Sequence, residues 1–94
     1  MKISYKSVFV YTSDGITAYI PACPGCVVRG SSDASTKSLM VEKLELWCSM
    51  KLISGEELPP DFTSLEMNKW IQAHKPFWKR DKWAIKTINT NMEA

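Results

Sequence analysis

The sequence predicts an α+β domain in which four strands flank one long and one short helix. Three observations carry that prediction. Residues 2 to 20 hold two segments of alternating hydropathy joined by Asp14-Gly15. Residues 31 to 55 place apolar side chains at helical spacing and close on a glycine. After a second, shorter helical stretch, residues 83 to 90 return to strict alternation.

The first strand is expected over Lys2 to Tyr11. Ile3, Tyr5, Phe9 and Tyr11 share one parity, and Lys2, Ser4 and Lys6 the other. Val8 and Val10 interrupt the polar parity, so the second half of the strand should be buried on both faces. Thr12-Ser13-Asp14-Gly15 is a hairpin signal, because Asp-Gly suits the positive φ of tight turns. Ile16 to Ile20 forms the returning strand. Pro21-Ala22-Cys23-Pro24-Gly25-Cys26 then reads as a rigid corner, with φ fixed by Pro21 and Pro24 and freed at Gly25. Cys26 to Arg29 forms a third strand, stopping at Gly30.

The long helix is expected to start at Ser31 or Ser32, either of which can cap free N–H groups, with Asp33 favourable at the positive end of the dipole. Met40, Val41, Leu44, Trp47, Cys48 and Lys51 line one side, so the buried face should centre near Leu44 and Trp47. Gly55 caps the C-terminus, and Pro59-Pro60 blocks continuation. Thr63-Ser64-Leu65-Glu66 is a capping box, with Phe62 and Met67 as its hydrophobic staple. The second helix should reach about His74, because Pro76 opposes extension. The last strand spans Trp83 to Thr90, and the tail after Asn91 should fray. A right-handed crossover through the helices would set this strand parallel to the first, in a mixed sheet of order 3-2-1-4 with the long helix on one face.

Ninety-four residues, 45% hydrophobic and 23% charged, make one domain able to fold on an apolar core. A net charge of +2 is too small to imply a nucleic-acid partner. No apolar run approaches a membrane span, and the N-terminus lacks the apolar block of a signal peptide. Three cysteines, an odd number, fit a reducing compartment, so a cytoplasmic protein is expected.

The residues with chemical potential are few. Cys23-Pro24-Gly25-Cys26 is formally a CxxC, but it joins two strands and lacks the helix N-terminus that activates redox thiols. Cys23, Cys26, Cys48 and His74 make four candidate zinc ligands without a second paired spacing. The plainer reading is a tight corner with a buried Cys26. The central residues of the first and last strands carry no Asp or Glu, so the converging carboxylates of a two-metal nuclease are missing, and Glu42 and Glu45 read as a solvated helix face. His74 has no nucleophile or acid nearby in sequence and suits the negative end of its helix. Neither a catalytic residue nor a metal or cofactor is expected. Lys69, Trp70, His74, Lys75, Phe77, Trp78, Lys79, Arg80, Lys82 and Trp83 interleave basic and aromatic residues. That mixture is read first as core or oligomer interface, then as partner surface, then as a single-strand nucleic-acid site.

The Pro21-Ala22-Cys23-Pro24-Gly25-Cys26 corner, Gly30 before a helix, Leu44-Glu45-Leu46-Trp47 within it, and Ser54-Gly55-Glu56-Glu57-Leu58-Pro59 after it together resemble the N-terminal domain of HicB-family antitoxins. The resemblance spans Tyr5 to Ile88. In that family the corner reads Pro-Asp-Leu-Pro-Gly-Cys, so Ala22 replaces an acid and Cys23 a leucine. The resemblance implies a degenerate ribonuclease H-like fold. It also implies an antitoxin that neutralises a small HicA-like mRNA-cleaving toxin by protein–protein contact, as a homo-oligomer, dimer or tetramer. Pro21, Pro24, Gly25, Cys26, Gly30, Leu44, Trp47 and Gly55 are its structural motif. Many family members add a C-terminal DNA-binding domain. Residues 1–94 are expected to form the single HicB-like domain without one, and so not to bind DNA directly. The remaining alternatives are a solitary interaction module with another protein target and a small nucleic-acid-binding protein.

Overall fold

The computed structural model describes residues 1–92. Its elements are β1 (Lys2–Thr12), β2 (Gly15–Tyr19), β3 (Val27–Gly30), α1 (Asp33–Ile53), α2 (Ser64–Trp78) and β4 (Lys82–Asn91). The order of elements matches the sequence reading, and the sheet order is β3-β2-β1-β4. The expected fraying after Asn91 concerns mainly residues 93 and 94, which lie outside the described residues. Met92 itself exchanges both backbone hydrogen bonds with Met1, at 2.8 and 2.6 Å.

One expectation about the sheet is corrected. β4 runs antiparallel to β1, with Tyr11 opposite Lys82 and Lys2 opposite Asn91, so the sheet is antiparallel throughout rather than mixed. The cause is the number of times the chain crosses the sheet. β3 is parallel to β1, and α1 carries the chain back along one face. The 54–63 connection then passes to the other face, and α2 carries the chain forward again. Two helical passes leave the next strand only one way to run, against β1.

That connection passes the half of β1 that β2 does not reach. β2 pairs only with Val8 to Thr12. Beside the bare half, Tyr5 Oη donates to the Pro59 carbonyl. Lys6 Nζ meets Asp61 at 3.0 Å and donates to the Phe62 carbonyl at 2.7 Å, while the Lys6 N–H is directed at both Asp61 carboxylate oxygens at 3.2 Å. The connection thus supplies hydrogen bonds that a strand would otherwise have supplied.

The two faces carry separate apolar clusters. On the α1 side, Ile3, Tyr5, Phe9, Ile16, Ala18, Ile20 and Ile88 pack with Met40, Leu44 and the cysteines. On the α2 side, Val8 and Val10 pack with Met67, Ile71 and Trp78. Phe62 touches both clusters from the connection. Ser7 to Val10 is buried on both faces, as the broken alternation foretells.

The helix ends follow their residues. Ser32 caps α1 in a capping box with Ser35, and the C-terminus closes with Gly55 N–H on Leu52 O and Glu56 N–H on Lys51 O, Gly55 standing at φ 78°. Thr63 and Glu66 form the α2 capping box. The fully buried row of α1 is Thr36, Met40, Leu44 and Cys48, so Trp47 and Lys51 sit at its margin rather than at its centre. α2 does not end at His74. It continues through Pro76 to Trp78. An internal proline costs about 3 kcal/mol. Trp78 outweighs it, being 7% exposed among Tyr19, Trp70 and Trp83, with ring centroids 5.9–6.4 Å away. Burying roughly 150–250 Å² of indole contributes roughly 4–6 kcal/mol.

Candidate protein-interaction surface

The corner between β2 and β3 is two successive β-turns. In the first, Cys23 N–H bonds Ile20 O at 3.0 Å across Pro21-Ala22. In the second, Cys26 N–H bonds Cys23 O at 3.0 Å across Pro24-Gly25. Gly25 has φ 88°, the value that a type II turn requires after proline. Ile20 N–H reaches Cys26 O at 3.1 Å, and Trp47 Nε1 donates to the Pro24 carbonyl at 3.0 Å, tying the corner to α1. Gly30 lets β3 meet the first turn of α1. A Cβ there would lie 2.2 Å from Thr36 Oγ1 and 2.9 Å from Thr36 N and Cα. Of the motif residues, Cys26, Leu44 and Trp47 share the core under the corner, and Pro24 accepts from Trp47, whereas Gly30 meets α1 at its first turn, against Thr36. Gly55 stands apart at the helix end.

The groups with chemical potential are occupied in packing. Cys23, Cys26 and Cys48 are free thiols, all fully buried. Burial pushes Cys23 up to about 12 and Cys26 up to about 11, and raises Cys48, so they are held as thiols. Cys26 Sγ lies 3.7 Å from Met40 Sδ. Burial, reinforced by Cys23 and Cys48, also raises the Tyr5 phenol. His74 stacks on Trp70 at 3.9 Å between centroids, with Nδ1 2.7 Å from the Trp70 carbonyl. Glu42 is exposed and Glu45 half-buried on α1. Among the described residues, no three His, Cys, Asp or Glu side chains are grouped to hold a metal, and no helix is long and apolar enough to cross a membrane.

What the surface offers instead is apolar area. α1 turns Leu39, Leu46, Met50 and Ile53 outward, 40–86% exposed. Their spacing of seven, four and three residues makes one stripe along the helix. That spacing was legible in the sequence, but it needed the position of the buried row to show which side faces out. The basic aromatic segment divides. Trp70 and Trp78 pack inward, whereas Phe77 is 82% exposed and Trp83 stands half-open beside Ile85. Lys69, Lys75, Lys79, Arg80 and Lys82 make no ion pair among the described residues, and Asp81 is the one acid in the stretch.

No family model and no curated protein matches this chain by sequence. Solved structures match it along almost its whole length. One is the N-terminal domain of the Burkholderia pseudomallei antitoxin HicB, at a TM-score of 0.61 and 15% identity, covering 98% of this chain and 100% of that one. The chain has a HicB-like antitoxin fold. A chain of a toxin–antitoxin complex from Streptococcus pneumoniae matches at 0.77 and 17% identity, over 97% of this chain and 70% of that one. A chain of a HicA3–HicB3 toxin–antitoxin complex matches at 0.62 and 18% identity, over 88% and 94%. At such identities the shared property is the HicB-like fold, reached with a largely different set of side chains.

Proposed function

We propose that this chain is an antitoxin that binds a small HicA-like mRNA-cleaving toxin and neutralises it by protein–protein contact. The observation that carries this reading is the match of its whole fold to chains taken from toxin–antitoxin complexes. The surface is consistent with it, because the exposed apolar stripe of α1 and the Phe77–Trp83 end are binding area without a reactive group. Inhibition by contact requires neither metal nor cofactor, and the HicB-like domain acts stoichiometrically in the cytoplasm. The corner, Gly30 and Trp47 set the shape of that domain rather than touching the toxin. The test is co-expression with a small basic protein encoded beside this chain. The expected result is a purified complex and restored growth. Undiminished toxicity together with no complex would refute the reading.

The cations without partners at the α2–β4 end, beside the exposed Phe77, favour a second reading as a single-strand nucleic-acid binder. It requires retention of oligonucleotides that weakens steeply as salt rises.

A further inference from the structure

We propose that the outer stripe of α1, made of Leu39, Leu46, Met50 and Ile53, is the surface that covers the RNA-gripping face of the toxin. The assignment rests on the antitoxin reading and gives the contact a place. Two exposed apolar areas are available, the stripe and the Phe77–Trp83 end. Their charges are opposite. Residues 69–82 hold Lys69, Lys75, Lys79, Arg80 and Lys82 against Asp81 alone, a net charge of +4. Residues 42–57 hold Glu42, Glu45, Glu56 and Glu57 against Lys43 and Lys51, a net charge of −2.

That difference decides which area meets the toxin. An enzyme that cleaves mRNA must hold phosphates, and it does so with lysine and arginine. The cations of the α2–β4 end would repel such a face, since like charges across an interface oppose pairing. The α1 side has the complementary sign. The helix dipole adds to it, because the stripe runs to Ile53, the last residue of α1, where the negative end lies. Lys51 is already engaged, with Nζ 3.5 Å from Glu56 and 5.3 Å from the centre of the Trp47 ring. Glu42 and Glu45 make no ion pair among the described residues. Glu42 stands three residues after Leu39 and four before Leu46, so it shares their side of the helix. Lys43 flanks the stripe on its other side and is the one cation of residues 42–57 without an ion pair among the described residues.

The build of the helix suits docking. Thr36, Met40, Leu44 and Cys48 pin α1 to the sheet, so the stripe is ordered before the toxin arrives and little freedom is lost on contact. Leu39 to Ile53 spans about 21 Å along the helix. Apolar anchors with carboxylates at their flank match a partner whose apolar centre is rimmed by lysine and arginine.

The test is titration calorimetry of the full chain against the purified small basic protein encoded beside it. Arginine is placed on each area in turn, always at an exposed side chain, and circular dichroism checks that the fold is kept. Leu46→Arg and Met50→Arg should each weaken binding about 30-fold or more, the loss expected of a central anchor. Phe77→Arg should leave the affinity within about threefold, as a residue outside the contact does. Glu42→Lys combined with Glu45→Lys should slow association and flatten its dependence on salt. Wild-type affinity in both stripe variants would overturn the proposal and leave the antitoxin reading intact. Loss of binding in Phe77→Arg alone would also overturn it, by placing the toxin at the α2–β4 end. A wild-type chain that does not bind the toxin would end the antitoxin reading and this assignment together.

Discussion

Replacing Gly30 by alanine should destabilise the fold more than replacing Gly25, although only Gly25 has a positive φ. A Cβ on Gly25 meets nothing within 4 Å, so its cost is conformational. Holding a non-glycine residue at φ 88° costs about 1–2 kcal/mol. A Cβ on Gly30 would lie 2.9 Å from two backbone atoms of Thr36 and 2.2 Å from its Oγ1. The hydroxyl cannot simply rotate away, because Oγ1 donates to Ser32 O at 2.6 Å in the first turn of α1. The backbone atoms can retreat only if α1 lifts from the sheet and loosens the buried row of Met40, Leu44 and Cys48. Overpacking costs about 1–3 kcal/mol, and a clash with backbone atoms belongs at the upper end of that range. That is a large part of the roughly 5–15 kcal/mol that holds a domain together. Urea unfolding of both variants, followed by circular dichroism, measures the difference. Thr36→Ala in the Gly30→Ala background should recover only part of the loss, because the backbone contacts remain. A Gly30→Ala variant no less stable than Gly25→Ala would refute the close-approach argument.

Other consequences are open to similar tests. Ile88 is fully buried whereas Ile85 is 44% exposed, so Ile88→Ala should cost about 2–5 kcal/mol and Ile85→Ala under about 1, read from denaturant midpoints. The three thiols should resist a disulfide reagent in the native state at pH 8 and react fully in denaturant. Folding raises their pKa, so above about pH 9 the unfolded chain releases protons that the native chain retains. Stability should therefore be level below that pH and fall as pH climbs toward 11–12, as melting temperatures across pH would show. A chain ending at Arg80 loses β4, the whole ladder along β1 and the buried Ile88. It should fail to melt cooperatively, and cooperative melting near the full-length temperature would contradict the sheet described above.

Local chemistry was legible along the chain because each such feature is decided by neighbours in sequence. Asp14-Gly15 located the hairpin, although its loop residues are Ser13 and Asp14, neither at positive φ, and Gly15 opens β2 opposite Thr12; Pro24-Gly25 gave the type II turn. Thr63 with Glu66 gave a helix start, and Gly55 a helix end. Alternation located the strands, and the interruption at Val8 and Val10 correctly announced a strand buried on both sides. Even the strand order followed from this sequence of elements and the resemblance it carries. Three matters belonged to the tertiary structure. The direction of β4 depends on how many times the chain crosses the sheet, and that depends on Tyr5, Lys6 and Asp61 drawing the 54–63 connection around the open half of β1. The length of α2 depends on Trp78 finding Tyr19 and Trp83, partners far from it in sequence or across a turn, whose packing outweighs the local cost of Pro76. The division of the basic aromatic segment into inward-packed Trp70 and Trp78, the first half-buried and the second buried, and open Phe77 depends on which side of α2 meets β1. Sequence fixes what each segment prefers by itself. Burial and long-range hydrogen bonds decide which preference survives, because their energies are set by residues that only the folded chain brings together.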